Sequence, residues 1–349
     1  MKITAVPSDS HEEIYRVSDA DTGLLGFIAL HSTQLGPAAG GLRMRLYANE
    51  DAALTDVKRL SKGMTYKNAA ADLPLGGGKA VIVGDPAKDK TPALLRAFGR
   101  AIENLEGRYY TAEDMGMSPA DMATLAEETS YVAGLADGAF ASGDPSPITA
   151  RGIFNAIRVT CRHRFGGDDL NGRHVAIQGL GNVGWNLALL LKDAGADLTV
   201  TDVDQDRINR AVTEIGATPV ALDEIYAVKA DVFAPCAIGG ILNADTIPAL
   251  RVSIVAGGAN NQLATPEDGA ALNDRGILYA PDFVANGGGI INVATEILKI
   301  ADRPAYVAQK LSALEATMDT ILTKAHKNNV SPDAVAVATV AQKMDRAAA

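Results

Sequence analysis

At 349 residues, with 47% hydrophobic and 21% charged side chains, the chain has a globular composition and more length than one hydrophobic core usually serves, so two domains are expected. Its 32 Lys and Arg stand against 42 Asp and Glu, and a net charge of −10 leaves no basic stripe to displace counterions from a nucleic acid or to lie on an anionic membrane. With no run of ~18 apolar residues and no signal-peptide core after Met1, the chain reads as cytoplasmic.

Residues 24–30, L-L-G-F-I-A-L, read as a strand, and the small residues that follow predict a glycine-rich turn at Gly40 and Gly41. A helix is expected from about Glu50, with Leu54, Val57, Leu60 and Met64 on one apolar face. It delivers the chain to residues 64–83, M-T-Y-K-N-A-A-A-D-L-P-L-G-G-G-K-A-V-I-V, where Lys67 and Lys79 stand among Ala, Leu, Pro and Gly with only Asp72 between them as a further charge. Such flanks are walls rather than solvated surface. Burial and a neighbouring cation both disfavour an ammonium, which makes one of the two a candidate base. Gly76, Gly77 and Gly78 admit a second backbone or a ligand close to Lys79, and V-I-V after it reads as a buried strand. Two helix-end lysines beside a tight turn would fit the same spacing.

Thr91-Pro92 and Ser118-Pro119 each open a helix, the first burying Leu94, Leu95, Phe98 and Ile102, the second completed by Asp121 as a capping box. Between them Y-Y-T-A-E-D-M-G holds Glu113 and Asp114, a pair that taken alone reads as loop or cap residues.

The Gly and Pro residues of A-S-G-D-P-S-P-I-T, at 141–149, mark a boundary that leaves residues 1–145 as one domain, and a helix with Ile153, Phe154 and Ile157 begins the next. There H-V-A-I-Q-G-L-G-N-V-G-W sets Gly179, Gly181 and Gly184 in G-x-G-x-x-G spacing between a strand ending in Gln178 and a helix through Leu187 and Leu191. The next strand ends in Asp202, 18 residues past Gly184, where a ribose-binding acid belongs. The glycine spacing alone is weak evidence; with both strands, the helix and the acid it is a dinucleotide fingerprint. Gly179, Gly181, Asn182, Val183 and Gly184 are then the expected phosphate-side contacts, at a helix N-terminus that favours anions. Asp202 would repel a 2′-phosphate, so NAD is expected over NADP, with Arg207 as the nearby cation that argues the other way.

Strands at A-D-V-F-A-P-C, S-I-V-A-G and G-I-L-Y-A-P-D continue a parallel sheet, with Ala237 after the first and Asn260 and Asn261 after the second, at the strand ends where a cofactor crevice forms. D-F-V-A-N-G-G-G-I-I-N-V is expected to open a long helix, and the nucleotide-binding domain to span residues 146–325. Within residues 326–349 a helix from Ser331-Pro332, with Val335, Val337 and Val340, is expected to pack back on the first domain. Cys161, Cys236 and the five histidines show neither disulfide nor metal spacing, so no metal is expected.

Nine stretches in order, G-P-A-A-G-G-L-R-M, K-G-M-T-Y-K-N-A, L-G-G-G-K-A-V-I, T-A-E-D-M-G, S-G-D-P-S-P-I-T, Q-G-L-G-N-V-G, A-P-C-A-I-G-G, A-G-G-A-N-N-Q and Y-A-P-D-F-V-A-N-G-G-G, cover nearly the whole chain. Together they resemble the amino acid dehydrogenase family that includes the leucine, phenylalanine, valine and glutamate dehydrogenases. The resemblance implies an α/β fold of two domains, an N-terminal α/β substrate and oligomerisation domain and a Rossmann-like dinucleotide-binding domain. It also implies a homo-oligomer that converts an L-amino acid and NAD reversibly to a 2-oxo acid, ammonia and NADH. By resemblance Lys67 binds the substrate carboxylate, Lys79 is the general base and Asp114 exchanges protons with the amino group. Asn260 helps hold the carboxylate, Gly40 lies against the substrate and Thr149 lies near the nicotinamide carboxamide.

That chemistry suits the residue types. Hydride loss from Cα leaves an iminium that water must attack, which calls for a base beside an anion-binding cation. Asp114, if close to Lys79, should titrate with it as a coupled unit. A 2-hydroxy acid dehydrogenase would share the nucleotide fold but needs a histidine acid/base, and none sits in a glycine-rich or strand-end motif. A nucleotide sensor would keep the G-L-G-N-V-G loop without needing Lys67, Lys79 and Asp114 together. In glutamate dehydrogenases the residue before the G-G pair is typically a lysine, and here it is Ala39. With Met64, Ala112, Ile290 and Val293 as the other implied walls, the expected substrate is a neutral hydrophobic L-amino acid. Ala112 and Ile290 look like the leucine and valine enzymes, while Ala39 looks like some phenylalanine enzymes. Branched-chain substrates are favoured, with phenylalanine or tryptophan the alternative.

Overall fold

The computed structural model describes residues 1–348 and divides into two compact units, the first formed by Met1–Pro145, Ile290–Val307 and the segment from Gln342, the second by Ser146–Gly289 and Ala308–Ala341. The first unit is built on β1 (Lys2–Ala5), β2 (Glu13–Asp19), β3 (Leu24–Ser32), β4 (Ala38–Arg45), α1 (Glu50–Ala70), β5 (Gly76–Val83), α2 (Pro92–Glu103), β6 (Tyr109–Glu113) and α3 (Pro119–Ala126). Its six-stranded sheet has the order β1-β2-β3-β5-β4-β6. The first three strands run antiparallel to their neighbours, whereas β5, β4 and β6 are mutually parallel.

The two-residue period of a strand explains how this sheet serves two layers. Leu42, Met44, Ala80 and Ile82 join Leu94, Leu95 and Phe98 of α2 in one core, while Val81, Phe27 and Ala29 join Ala53, Val57 and Leu60 of α1 in another. The helix starts are locally specified: Asn49 accepts the Ala52 N–H ahead of α1, Thr91 accepts that of Leu94, and Ser118 and Asp121 form a reciprocal capping box.

One expectation is corrected here. Gly40 and Gly41 are not a turn but residues of β4, while Gly76, Gly77 and Gly78 open β5 and admit the close neighbours expected of them. They are small because the layers touch: a Cβ on Gly76 would lie 2.1 Å from the Ser32 carbonyl, one on Gly77 2.0 Å from Thr65 Oγ1 of α1, and one on Gly40 2.0 Å from the Gly78 carbonyl.

The second unit carries α4 (Ser146–Phe165), β7 (His174–Gln178), α5 (Asn182–Asp193), β8 (Asp197–Thr201), α6 (Gln205–Ile215), β9 (Thr218–Pro219), β10 (Val232–Pro235), β11 (Ile254–Val255), α7 (Pro266–Asp274), β12 (Leu278–Tyr279) and α8 (Asp282–Ala285). Every strand pairs in parallel, in the order β12-β11-β10-β7-β8-β9, which is the doubly wound arrangement of a Rossmann-like sheet.

The long helix expected from Asp282 is instead α8, a break at Asn286, then α9 (Gly288–Ile297); the longest helix is α10 (Arg303–Asn328), followed by α11 (Pro332–Ala348). Gly288, at the start of α9, is required to be small, since a Cβ there would lie 2.1 Å from the Ile148 carbonyl. Lys343 of α11 donates to the Ala69 carbonyl at 2.8 Å. Among the described residues no helix is long and apolar enough to cross a membrane.

Candidate active site

In the first unit, three adjacent parallel strands bring the charged residues together. Gly41 of β4 stands opposite Ala112 of β6, and Leu42 stands opposite Ala80 of β5. That register carries Lys79 and Asp114 to the same place, with Lys79 Nζ 2.5 Å from Asp114 Oδ2. Gly41 makes room for the contact: a Cβ on it would lie 2.8 Å from Asp114 Cβ and 3.2 Å from Lys79 Nζ. Lys79 is buried, its side chain only 9% exposed. The other carboxylate oxygen, Oδ1, accepts the Met115 N–H at 2.7 Å. Burial pushes the Asp114 carboxyl upward, but Lys79 and Arg43 outweigh it and hold the group down at about 2.

Arg43, to which no motif assigned a role, places Nε 3.4 Å from the same Asp114 Oδ2 and Nη1 3.2 Å from Asp56 Oδ2. Tyr47 donates to that Asp56 oxygen at 2.8 Å. Burial works against the charge of Arg43, and Asp114 and Asp56 more than restore it. The sequence signal was present in G-G-L-R-M-R, where Arg43 follows Gly41 by two residues and so shares its strand face. Tyr109, fully buried, was also missed; its hydroxyl donates to the Gly40 carbonyl at 2.7 Å and fixes β4 against β6.

Lys67 lies in the last turn of α1 and is half-buried. Its neighbour Asn68 donates from Nδ2 to the Gly76 carbonyl at 2.5 Å, which ties this end of α1 to the start of the strand that carries Lys79. Met64 also reaches the strands, with Cγ 2.8 Å from where a Cβ of Gly40 would be. Ala39, Ala112, Ile290 and Val293 are buried. The last two belong to α9, and Glu296 of that helix accepts the N–H groups of Gly134 at 2.7 Å and Ser142 at 3.0 Å.

In the second unit, Gly179, with φ of 94°, makes the turn out of β7, and a Cβ on it would lie 2.8 Å from that of Ala237, which places Ala237 against the loop. A Cβ on Gly184 would lie 2.0 Å from the Gly179 carbonyl, whereas one on Gly181 would meet nothing nearer than Arg207 at 3.9 Å, so the loop is packed beneath and open above. Helix α5 begins there with no side-chain cap, leaving its first N–H groups to a ligand; Asn182 is exposed and Val183 half-buried.

Asp202 Oδ2 accepts the Leu180 N–H at 2.5 Å and Oδ1 accepts that of Asp204 at 2.9 Å. Beside it lies an open groove of about 520 Å³ lined by Val203, Pro219, Ala221 and Leu222 among others. A packed glycine turn, an uncapped helix start and an acid at the loop suit a dinucleotide. Thr149 is buried in the first turn of α4. Asn286, another residue without an assigned role, donates from Nδ2 to Asn260 Oδ1 at 2.9 Å and to the Gly258 carbonyl at 3.2 Å, which orients the Asn260 amide.

Comparison with known proteins agrees with both halves. Residues 11–131 match the Glu/Leu/Phe/Val dehydrogenase dimerisation domain, and residues 142–206 and 200–349 match the Glutamate/Leucine/Phenylalanine/Valine dehydrogenase domain. The leucine dehydrogenase of Geobacillus stearothermophilus is 46% identical over 333 residues, covering 95% of this chain and 90% of that one. The phenylalanine dehydrogenase of Lysinibacillus sphaericus is 51% identical over 293 residues, covering 82% and 77%. The crystal structure of L-tryptophan dehydrogenase from Nostoc punctiforme superposes with a TM-score of 0.82 at 39% identity, covering 97% of each chain.

Proposed function

We propose, on the premise that this chain belongs to the Glu/Leu/Phe/Val dehydrogenase family, that it catalyses the NAD-dependent, reversible oxidative deamination of a hydrophobic L-amino acid, branched-chain substrates first among them. As a member of that family it is an oxidoreductase, an amino acid dehydrogenase that uses a nicotinamide cofactor. The observation that carries the finer reading is the 2.5 Å contact between Lys79 and Asp114, buried beside a glycine that leaves space next to it.

In this reading residues 1–145, joined by Ile290–Val307, carry the substrate, and the rest of 146–325 the nucleotide, which Gly179, Gly181, Asn182, Val183, Gly184, Asp202, Ala237, Thr149 and Asn260 would hold. Bound NAD would accept the hydride from the substrate Cα; the rest falls to the side chains. Lys67 holds the substrate carboxylate, and a fixed carboxylate aims the Cα hydrogen. Asp114 takes a proton from the substrate ammonium before the hydride leaves, Lys79 takes one from the water that adds to the iminium carbon, and Asp114 returns its proton to the nitrogen and receives that of the hydroxyl as ammonia leaves and the 2-oxo group forms. The carboxylate of Asp202 supports NAD over NADP. Arg207 lies 3.4 Å from Asp204 and 3.8 Å from Asp202, and is therefore opposed by two acids where a 2′-phosphate would need it.

Ala39, Met64, Ala112, Ile290 and Val293 as apolar walls support a neutral side chain, since a second carboxylate would lose its hydration there at a cost of several kcal/mol. A second reading, an aromatic substrate, is favoured by the small Ala39 and by the phenylalanine and tryptophan enzymes among the relatives. A cytoplasmic homo-oligomer belongs to the same reading, the match to a dimerisation domain supporting the assembly. The test is the appearance of reduced nicotinamide when the protein is given NAD with hydrophobic L-amino acids, or with the corresponding 2-hydroxy acids. Turnover is expected with the amino acids alone; turnover with the hydroxy acids, or with neither, would reject the assignment.

A further inference from the structure

We propose that Arg43 is a positioning residue that holds the Asp114 carboxylate in place and favours its charged form between the proton transfers of the Lys79–Asp114 pair. This rests on the reading of Lys79 and Asp114 as the proton-transferring pair. Asp114 Oδ2 meets two cations, Lys79 Nζ at 2.5 Å and Arg43 Nε at 3.4 Å, and Oδ1 meets the Met115 N–H at 2.7 Å. The chemistry interrupts only the first of these contacts. A buried carboxylate whose counter-ion becomes neutral ordinarily takes up a proton itself, and the pair would then stall with its proton on the wrong partner. Arginine cannot lose its charge at any working pH, so the Arg43 contact persists through the cycle.

The surroundings make that contact necessary. On β6, the same strand that leads to Asp114, Glu113 is pushed upward by burial and by Asp144, Asp121 and Asp114, and the Tyr109 phenol is held well above its ordinary value by burial, with Asp114 adding to it. The groups around Asp114 are therefore Lys79 on β5, Arg43 on β4 and the acidic side of β6, and Arg43 is the cation that does not take part in proton transfer. Arg43 is itself anchored. Its Nη1 donates to Asp56 Oδ2 of α1 at 3.2 Å, and Tyr47 donates to the same oxygen at 2.8 Å, so the guanidinium is stretched between two carboxylates and cannot swing away.

The experiment is the pH dependence of kcat/KM for oxidative deamination in the full-length protein and in Arg43→Gln, Arg43→Lys and Asp56→Asn, with thermal melting to establish folding. The acid limb of that profile reports protonation of the free enzyme's base. Removing a fixed cation this close lets the pair hold its proton to higher pH, so in Arg43→Gln the limb should move up by about 1 pH unit or more, a loss of about tenfold at a given pH on the limb. Arg43→Lys should keep the limb within a few tenths of a unit while lowering kcat, because charge is retained and the fork is lost. Asp56→Asn removes an anion that shares Arg43 and should move the limb the other way, by less.

A merely structural role would lower activity without moving the limb, and never in opposite directions. An unmoved limb in Arg43→Gln, or one displaced equally in Arg43→Lys, overturns the proposal; if Arg43→Gln does not fold, an unmoved or raised limb in Asp56→Asn overturns it. Full turnover in Lys79→Ala would instead reject the underlying assignment of the pair.

Discussion

Asp114 and Asp202 each stand just past the end of a parallel strand, β6 in one unit and β8 in the other, and each is a carboxylate with little solvent exposure. They are held by different means. Asp114 has Lys79 and Arg43 on one oxygen and a single backbone N–H on the other. Asp202 has a backbone N–H on each oxygen, from Leu180 and Asp204, with the exposed Arg207 further off at 3.8 Å. A carboxylate held by movable protons can take part in transferring them, whereas one held by backbone can only be recognised. In the proposed reading the same residue type serves chemistry in the first unit and selection in the second.

The sharpest way to break this comparison is to remove the movable proton. Lys79→Ala should lower kcat by orders of magnitude and leave the affinity for NADH nearly unchanged, while Lys67→Ala should in addition weaken binding of the substrate. Near-normal turnover in Lys79→Ala would mean that the Asp114 cluster is structural. Asp202→Ser examines the other side. It removes the charge that opposes a 2′-phosphate, so the preference of kcat/KM for NAD over NADP should fall at least about tenfold, equivalent to about 1.4 kcal/mol. It also frees the Leu180 N–H, so KM for NAD should rise. An unchanged preference would show that selection lies elsewhere in the loop.

The smallest expected effect concerns stability in acid. The Asp114 carboxyl is lowered in the folded protein from 3.8 to about 2. A lowered carboxyl contributes stability that is fully present above its unfolded value near 4 and is lost as the pH falls towards 2. The contribution is on the order of 2 kcal/mol. Asp114→Asn should therefore lose stability at neutral pH and show a flatter decline between about pH 4 and pH 2, followed by melting temperature. A mutant curve parallel to that of the parent through this window would remove the ionic account of the cluster.

Much of this contrast was legible in the sequence, and unevenly. The nucleotide loop depends on backbone geometry over a short span, and glycine spacing between two strands reports that directly. The ionic cluster depends on register between strands distant in the chain. Lys79 and Asp114 could be named by motif, but the contact of Arg43 with Asp114 became visible once β4 was seen between β5 and β6. The glycines at 40–41 misled for a related reason. Local propensity reads glycine as a turn, whereas Gly40 answers to the Gly78 carbonyl of the neighbouring strand at a distance that no side chain would allow. The need for glycine at 288 likewise depends on the Ile148 carbonyl, more than a hundred residues earlier in the chain.

The central claim is that this chain oxidises neutral hydrophobic L-amino acids, and kcat/KM measured with NAD for leucine, valine, phenylalanine, tryptophan and glutamate tests it most directly. The account predicts the branched-chain substrates highest, the aromatic ones within reach because one methylene is worth only ~1–3 kcal/mol, and glutamate lower by about a hundredfold or more. An aromatic preference of about tenfold or more would overturn the narrower choice, and a preference for glutamate would contradict the pocket built from Ala39, Met64, Ala112, Ile290 and Val293.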